Sequence, residues 1–148
     1  MRLMTKTMTY EQYLEQYDTM TYRNVGVSML PMLRQGRDTF TVTKKTNQRC
    51  KQFDVILYRR PPSSYVLHRI IEVRSHDYVV LGDNCINKEY VKENDIIGVL
   101  SSFTHKGKSY PVSDKRYRLY VHIWCKTAFL RIVCKKIRIR LQRKLHAA

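Results

Sequence analysis

The spacing of apolar positions along the chain changes period near residue 119, from the alternation of strands to the stripe of a helix. Ahead of the strands, residues 9–20 predict a short helix, with Tyr10, Tyr13, Leu14 and Tyr17 on one face and a capping box between Thr9 and Gln12. From Val25 to Val42 the pattern predicts strands interrupted by a turn at Arg34-Gln35-Gly36-Arg37-Asp38, with residues 39–43 alternating cleanly. A polar loop follows over residues 44–52. Phe53 to Arg59 reads as a buried strand stopped by Pro61-Pro62-Ser63-Ser64. Tyr65–Val73 and Tyr78–Leu81 are the next strands, the latter ending at Gly82-Asp83-Asn84, and Ile96–Leu100 is one more, with Gly98 inside it. Residues 104–116 read as a turn-rich connection. Leu119, Ile123, Leu130, Cys134, Ile137, Leu141 and Leu145 then form one helical stripe with basic flanks. The expected fold class is mainly β: a mostly antiparallel sheet with a short N-terminal helix and a basic amphipathic C-terminal helix. The expected organisation is a helical segment over residues 1–24, a β domain over 25–113 and a basic helical tail over 114–148.

Length and composition agree with one core: 148 residues, 43% of them apolar, suffice for a single folded domain. The formal charge of +16 implies an acidic partner, whether nucleic acid, anionic lipid or acidic peptide. Residues 115–148 contain no Asp or Glu and carry +11 of that charge, so the tail needs its own explanation. Cys50, Cys85, Cys125 and Cys134 form no C-x-x-C pair, which argues against a zinc site and a secreted disulfide framework. No metal and no cofactor is expected. The N-terminal stretch is interrupted by Arg2, Lys6, Glu11 and Glu15, and nowhere do 18 apolar residues run together. A cytoplasmic protein, at most peripheral on a membrane, is the expectation.

The candidate chemistry lies in three blocks. Ser28 sits in an apolar run between Gly26, read as permitting close backbone approach, and Pro31, which fixes its own φ and biases Leu30 towards an extended shape. His68 stands inside the apolar strand Val66-Leu67-His68-Arg69-Ile70, where a neutral imidazole could take a serine proton if an acceptor held its tautomer. Gly82-Asp83-Asn84 reads first as a turn, glycine for a special φ and Asp83 and Asn84 for capping amides. Glu89 follows in Asn87-Lys88-Glu89-Tyr90 and reads equally as a solvated loop acid.

In this order, S-M-x-P, D-V-I-x-Y-R, V-x-H-R-I-I and G-D-N resemble the signal peptidase I family and the related LexA-type self-cleaving domains, over about Val25 to Leu100. The resemblance implies a serine endopeptidase on a coiled β scaffold, cleaving a leader or signal-like peptide held as an extended strand. Ser28 matches the family nucleophile. His68 takes the place of the lysine base of most bacterial members, as in the archaeal and endoplasmic-reticulum type. The third residue falls on Glu89, where that branch has Asp; Asp83 matches the motif's own acid and is read mainly as shaping the site, with either acid open as support for His68. Gly26, Met29, Gly82 and Asn84 complete the site-shaping set. The Ser28 amide is expected to supply one oxyanion donor, and Gly26 stands where many members carry a helpful hydroxyl.

The 27 residues before Ser28 do not span a bilayer and are few for a repressor's DNA-binding domain. Residues 119–145 offer an anionic membrane surface a substitute anchor; a helix docked on its own β domain is the alternative. The partner expected is a peptide or leader-bearing protein, with nucleic acid the less favoured occupant of the tail. The rival functions are an inactive peptide-binding module of the same fold, or a basic membrane-surface or nucleic-acid-binding protein.

Overall fold

The structure is a computed structural model and describes residues 8–146. Helix α1 (Tyr10–Tyr17) starts at the expected capping box, Thr9 and Gln12 exchanging backbone-to-side-chain hydrogen bonds, and ends at Asp18 in the left-handed region. Eight strands follow: β1 (Thr19–Arg23), β2 (Thr39–Lys44), β3 (Val55–Arg60), β4 (Ser64–Val73), β5 (Asp77–Leu81), β6 (Glu89–Lys92), β7 (Ile96–His105) and β8 (Lys108–Pro111). They form one sheet in the order β1-β2-β7-β3-β4-β5-β6, with β8 hairpinned onto β7, and every pairing is antiparallel. The mainly β expectation therefore holds. Strand β1 lies where the sequence pattern ran helix into strand and β6 where it placed a loop; β7 contains the expected strand Ile96–Leu100 and runs on to His105, and β8 lies where the turn-rich connection was expected.

The sheet is buried on both faces, so β3 shows a continuous apolar run rather than alternation. Its odd positions, Val55 and Leu57, join Met29, Met32, Leu33, Val42, Leu67 and Phe103 on one face. Its even positions, Ile56 and Tyr58, join Cys50, Ile70, Tyr78, Val80 and Val91 on the other. The register pairs Ile56 with His68 and Val55 with Arg69, which sends His68 to the second face and Arg69 to the first.

Residues 25–33 form turns, not the expected strand, and lead into the expected turn at residues 34–38. Pro31 follows a cis peptide bond, and the local hydrogen bonds run Leu30 N to Val27 O (3.2 Å) and Leu33 N to Met29 O (2.9 Å). The segment is anchored by Asn24, by the buried Met29 and Leu33, and by Asp38, which accepts from the Arg34 amide and the Arg37 guanidinium. Short-range bonds of this kind satisfy the backbone without a ladder.

The basic tail is two helices, not one stripe. Asp114 caps α2 (Lys115–Lys126) through the amides of Arg116 and Tyr117, and a break at Thr127 leads into α3 (Ala128–His146). Helix α2 buries Tyr117 and Val121 in the first core and half-buries Tyr120 and Trp124, while Leu119 and Ile123 of the expected stripe face solvent. Each fully buried side chain of this kind stabilises docking by about 2 kcal/mol, so α2 is part of the β domain's core. Among the described residues no helix is long and apolar enough to cross a membrane.

Candidate active site

Ser28 and His68 line one cleft of about 770 Å³, together with Asn84, Cys85, Glu89 and Lys135. Ser28 is half-buried in its turn, and His68 is buried in β4. No Ser28–His68 hydrogen bond is present among the described residues. The two are brought together by Gly82: a methyl placed on its Cα would lie 2.8 Å from the Ser28 carbonyl oxygen and 3.0 Å from His68 Nε2. Only a residue without a side chain leaves both where they are.

The orientation of the imidazole follows from counting protons. Tyr58 Oη donates to Glu89 Oε2 (3.0 Å) and lies 3.1 Å from His68 Nδ1. Burial works against the charge on Glu89, but hydrogen bonds from Arg60 and Tyr58 outweigh it and hold the carboxyl below its ordinary range, so it only accepts. The phenol has one proton, burial and the Glu89 charge keep it there, and that proton goes to Glu89. Tyr58 Oη therefore accepts from Nδ1–H. Neutral His68 carries its lone pair on Nε2, the nitrogen that faces Gly82 and the Ser28 backbone. Glu89 Oε1 also stands 3.4 Å from Nδ1, where it stabilises the imidazolium. Burial pushes the His68 pKa below 6.5, opposed by the Glu89 charge, so the imidazole is neutral at neutral pH.

Each residue of the Gly82-Asp83-Asn84 block has a separate task. Asp83 is not beside His68. It lies on the opposite face of the sheet, where Arg69 holds both its oxygens at 2.8 Å and Tyr120 donates to it at 2.8 Å. Arg69 and Asp83 are both almost fully buried, and Tyr117 and the Phe53 carbonyl take further Arg69 protons. Trp124 Nε1 donates to the Asp83 carbonyl, so α2 clamps the turn. Asn84 holds the serine turn itself, its amide donating to the Ser28 carbonyl (2.8 Å) and its Nδ2 to the Val27 carbonyl (3.1 Å).

The two glycines exchange the roles expected of them. Gly26 has φ +85° and nothing within 4 Å of where a Cβ would be, so it supplies a left-handed turn rather than a close approach. Gly82 is the close-approach residue, and its φ lies outside the left-handed region. Met29 is 1% exposed and packs in the first core, so its side chain anchors the turn below Ser28. Among the described residues the Ser28 amide makes no hydrogen bond within the chain.

Arg60, Cys85 and Lys135 also line the cleft, and the buried Tyr58 meets His68 and Glu89 from behind it; none of the four carries a role in the sequence reading. Tyr58 and Arg60 were legible in principle, because the turn at Pro61-Pro62 sets a β3–β4 hairpin and a period of 2 then puts both on the His68 face. Cys85 is a thiol that burial keeps neutral. Lys135 comes from α3, its Nζ donating to the Asn84 carbonyl and to Asn84 Oδ1 (3.0 Å), and no local pattern announces it. Among the described residues no cluster of His, Cys, Asp and Glu could hold a metal ion. No family model matches the chain, and no curated protein matches it.

Proposed function

We propose that the chain is a serine endopeptidase of the signal-peptidase type that cleaves a leader or signal-like peptide. The observation that carries this reading is the held imidazole: Nδ1–H committed to Tyr58 Oη beside Glu89, with the Nε2 lone pair turned towards the Ser28 turn. The ordered S-M-x-P, V-x-H-R-I-I and G-D-N blocks support it.

In this mechanism Ser28 Oγ attacks the scissile carbonyl while His68 Nε2 takes its proton. The imidazolium is stabilised by Glu89 directly and through Tyr58. The oxyanion of the tetrahedral intermediate accepts the Ser28 amide. His68 then returns the proton to the leaving amine, an ester to Ser28 remains, and a water deprotonated by His68 releases the acid product. Apo enzymes commonly hold nucleophile and base beyond hydrogen-bond distance until substrate arrives.

The peptide has a place to lie. The Ile70 amide and carbonyl bond to Asp54 and Phe53, so they face β3. By alternation, Tyr65, Leu67 and Arg69 turn their polar backbone groups the other way. Arg69 meets Leu81 there, but β5 ends at that residue, and no described strand pairs with Tyr65 or Leu67 on this side. An extended peptide can add to this edge and run into the cleft at Ser28.

The test is twofold. A fluorophosphonate should label Ser28, located by peptide mapping, and labelling should vanish in Ser28→Ala and fall sharply in His68→Gln. Purified protein should cut a leader-type peptide, with Ser28→Ala inactive. Peptide binding without turnover or labelling in the wild type would make the protein a binding module and overturn the peptidase reading.

A further inference from the structure

Helix α3 is held by one side only. Arg131 stacks on Trp124 at 3.5 Å, Lys135 bonds to Asn84, and Ile132 and Ile139 are half-buried on the same side. The other side carries Leu130, Ile137, Leu141 and Leu145 at spacings of 7, 4 and 4 residues, with 63%, 51%, 57% and 77% of their surfaces exposed. Val133 and Phe129 extend the patch, at 37% and 75% exposure. No residue of α3 is buried. Seven Lys and Arg residues lie along α3 and no acid does.

We propose that this face of α3 docks on an anionic lipid bilayer, the helix lying in the interface plane. Apolar exposure and uniform positive charge are both used there: the leucines and isoleucine enter the acyl boundary, and Arg140, Lys144 and Arg138 reach back to the headgroups along their aliphatic stems. A nucleic acid satisfies the charge and leaves the apolar side chains in water. A second copy of the chain covers the apolar side chains but brings another +16 beside the first. Because the docked side and the exposed stripe are different sides of the helix, adsorption leaves the Lys135–Asn84 contact in place.

Co-sedimentation of the full chain with vesicles tests this. Binding should be at least about tenfold stronger to phosphatidylcholine vesicles containing phosphatidylglycerol than to phosphatidylcholine alone, and should weaken with salt. Ile137→Glu combined with Leu141→Glu should reduce binding at least about tenfold. Leu130→Gln combined with Leu145→Gln, confirmed helical by circular dichroism, should weaken it independently of any effect of new acidic charge. Four results each overturn the proposal. One is no preference for anionic vesicles, and another is binding unchanged by both double variants. The third is a dimer in lipid-free sedimentation that the Glu variant converts to monomer, which assigns the stripe to a second copy. DNA bound as tightly as the vesicles, and unaffected by the Glu variant, likewise reassigns the tail to polyelectrolyte binding.

Discussion

His68 and Arg69 are consecutive in β4, yet each meets its carboxylate on a different face of the sheet and under different conditions. Arg69 and Asp83 are closed off: a bidentate pair at 2.8 Å, with the remaining hydrogen-bonding capacity taken by Tyr117, Tyr120 and a backbone carbonyl. Glu89 is partly exposed and divides its two oxygens among Arg60, Tyr58 and His68. The first arrangement fixes geometry, because breaking a fully desolvated pair strands a charge. The second leaves one imidazole nitrogen with a free lone pair at the wall of an open cleft. In the proposed mechanism, positioning and proton transfer would thus lie back to back on one strand.

Substitutions on the two faces should separate these roles. His68→Gln should lower kcat/KM by about 10³-fold or more, equivalent to about 4 kcal/mol, while urea unfolding shifts by less than about 1 kcal/mol. Asp83→Asn should do the reverse, costing about 3 kcal/mol in urea unfolding through the stranded Arg69, with a much smaller loss of turnover per folded molecule. A stable, inactive Asp83→Asn protein would transfer the catalytic acid to Asp83 and end the division proposed here.

Gly82→Ala probes the seam between the faces. The added methyl forces apart the Ser28 carbonyl and His68, and kcat should fall by roughly 10- to 100-fold. Gly26→Ala meets no neighbour and should cost only about 1 kcal/mol of stability from its φ. Equal kinetic losses from the two glycine variants would contradict the roles assigned to them.

Tyr58→Phe removes the acceptor that fixes the tautomer and should lower kcat about tenfold. Nitrogen-15 spectra of the His68 ring should then lose the preference for Nδ1–H.

The smallest effect is on pH. Protonated His68 cannot act as base, and burial holds its pKa below 6.5, so the acid limb of kcat/KM should have its midpoint below 6.5. Glu89→Gln removes the charge that opposes burial and should move that midpoint lower still. The same depression means that the unfolded chain binds the His68 proton first. Stability from this group is therefore complete above about 6.5 and lost as pH falls towards the folded pKa.

Much of the β domain is readable from local pattern. The β2–β5 strands, the capping box of α1 and the turn at Asp38 depend on neighbours within a few residues, and the structure has them where alternation and turn chemistry put them. The serine segment misled because its apolar residues, Met29 and Leu33 among them, serve as anchors for a turn rather than as a ladder strand. The tail misled for a related reason: helical periodicity marks which residues share a face, but not which face packs. In α2 the aromatic side won: Tyr117 and Tyr120 pack in the first core, Tyr117 accepts from Arg69, and Tyr120 and Trp124 donate to Asp83, whereas Leu119 and Ile123 do none of these.

By itself the sequence determined the fold class, the order of the blocks and the identity of Ser28 and His68 as candidates, because these rest on residue type and short spacing. Which acid meets His68 was decided only in three dimensions. The β5–β6 register, with Glu89 opposite Val80, carries Glu89 to the imidazole, while the alternation of β4 turns Arg69, and Asp83 with it, to the other face. The same packing left the apolar side of α3 uncovered.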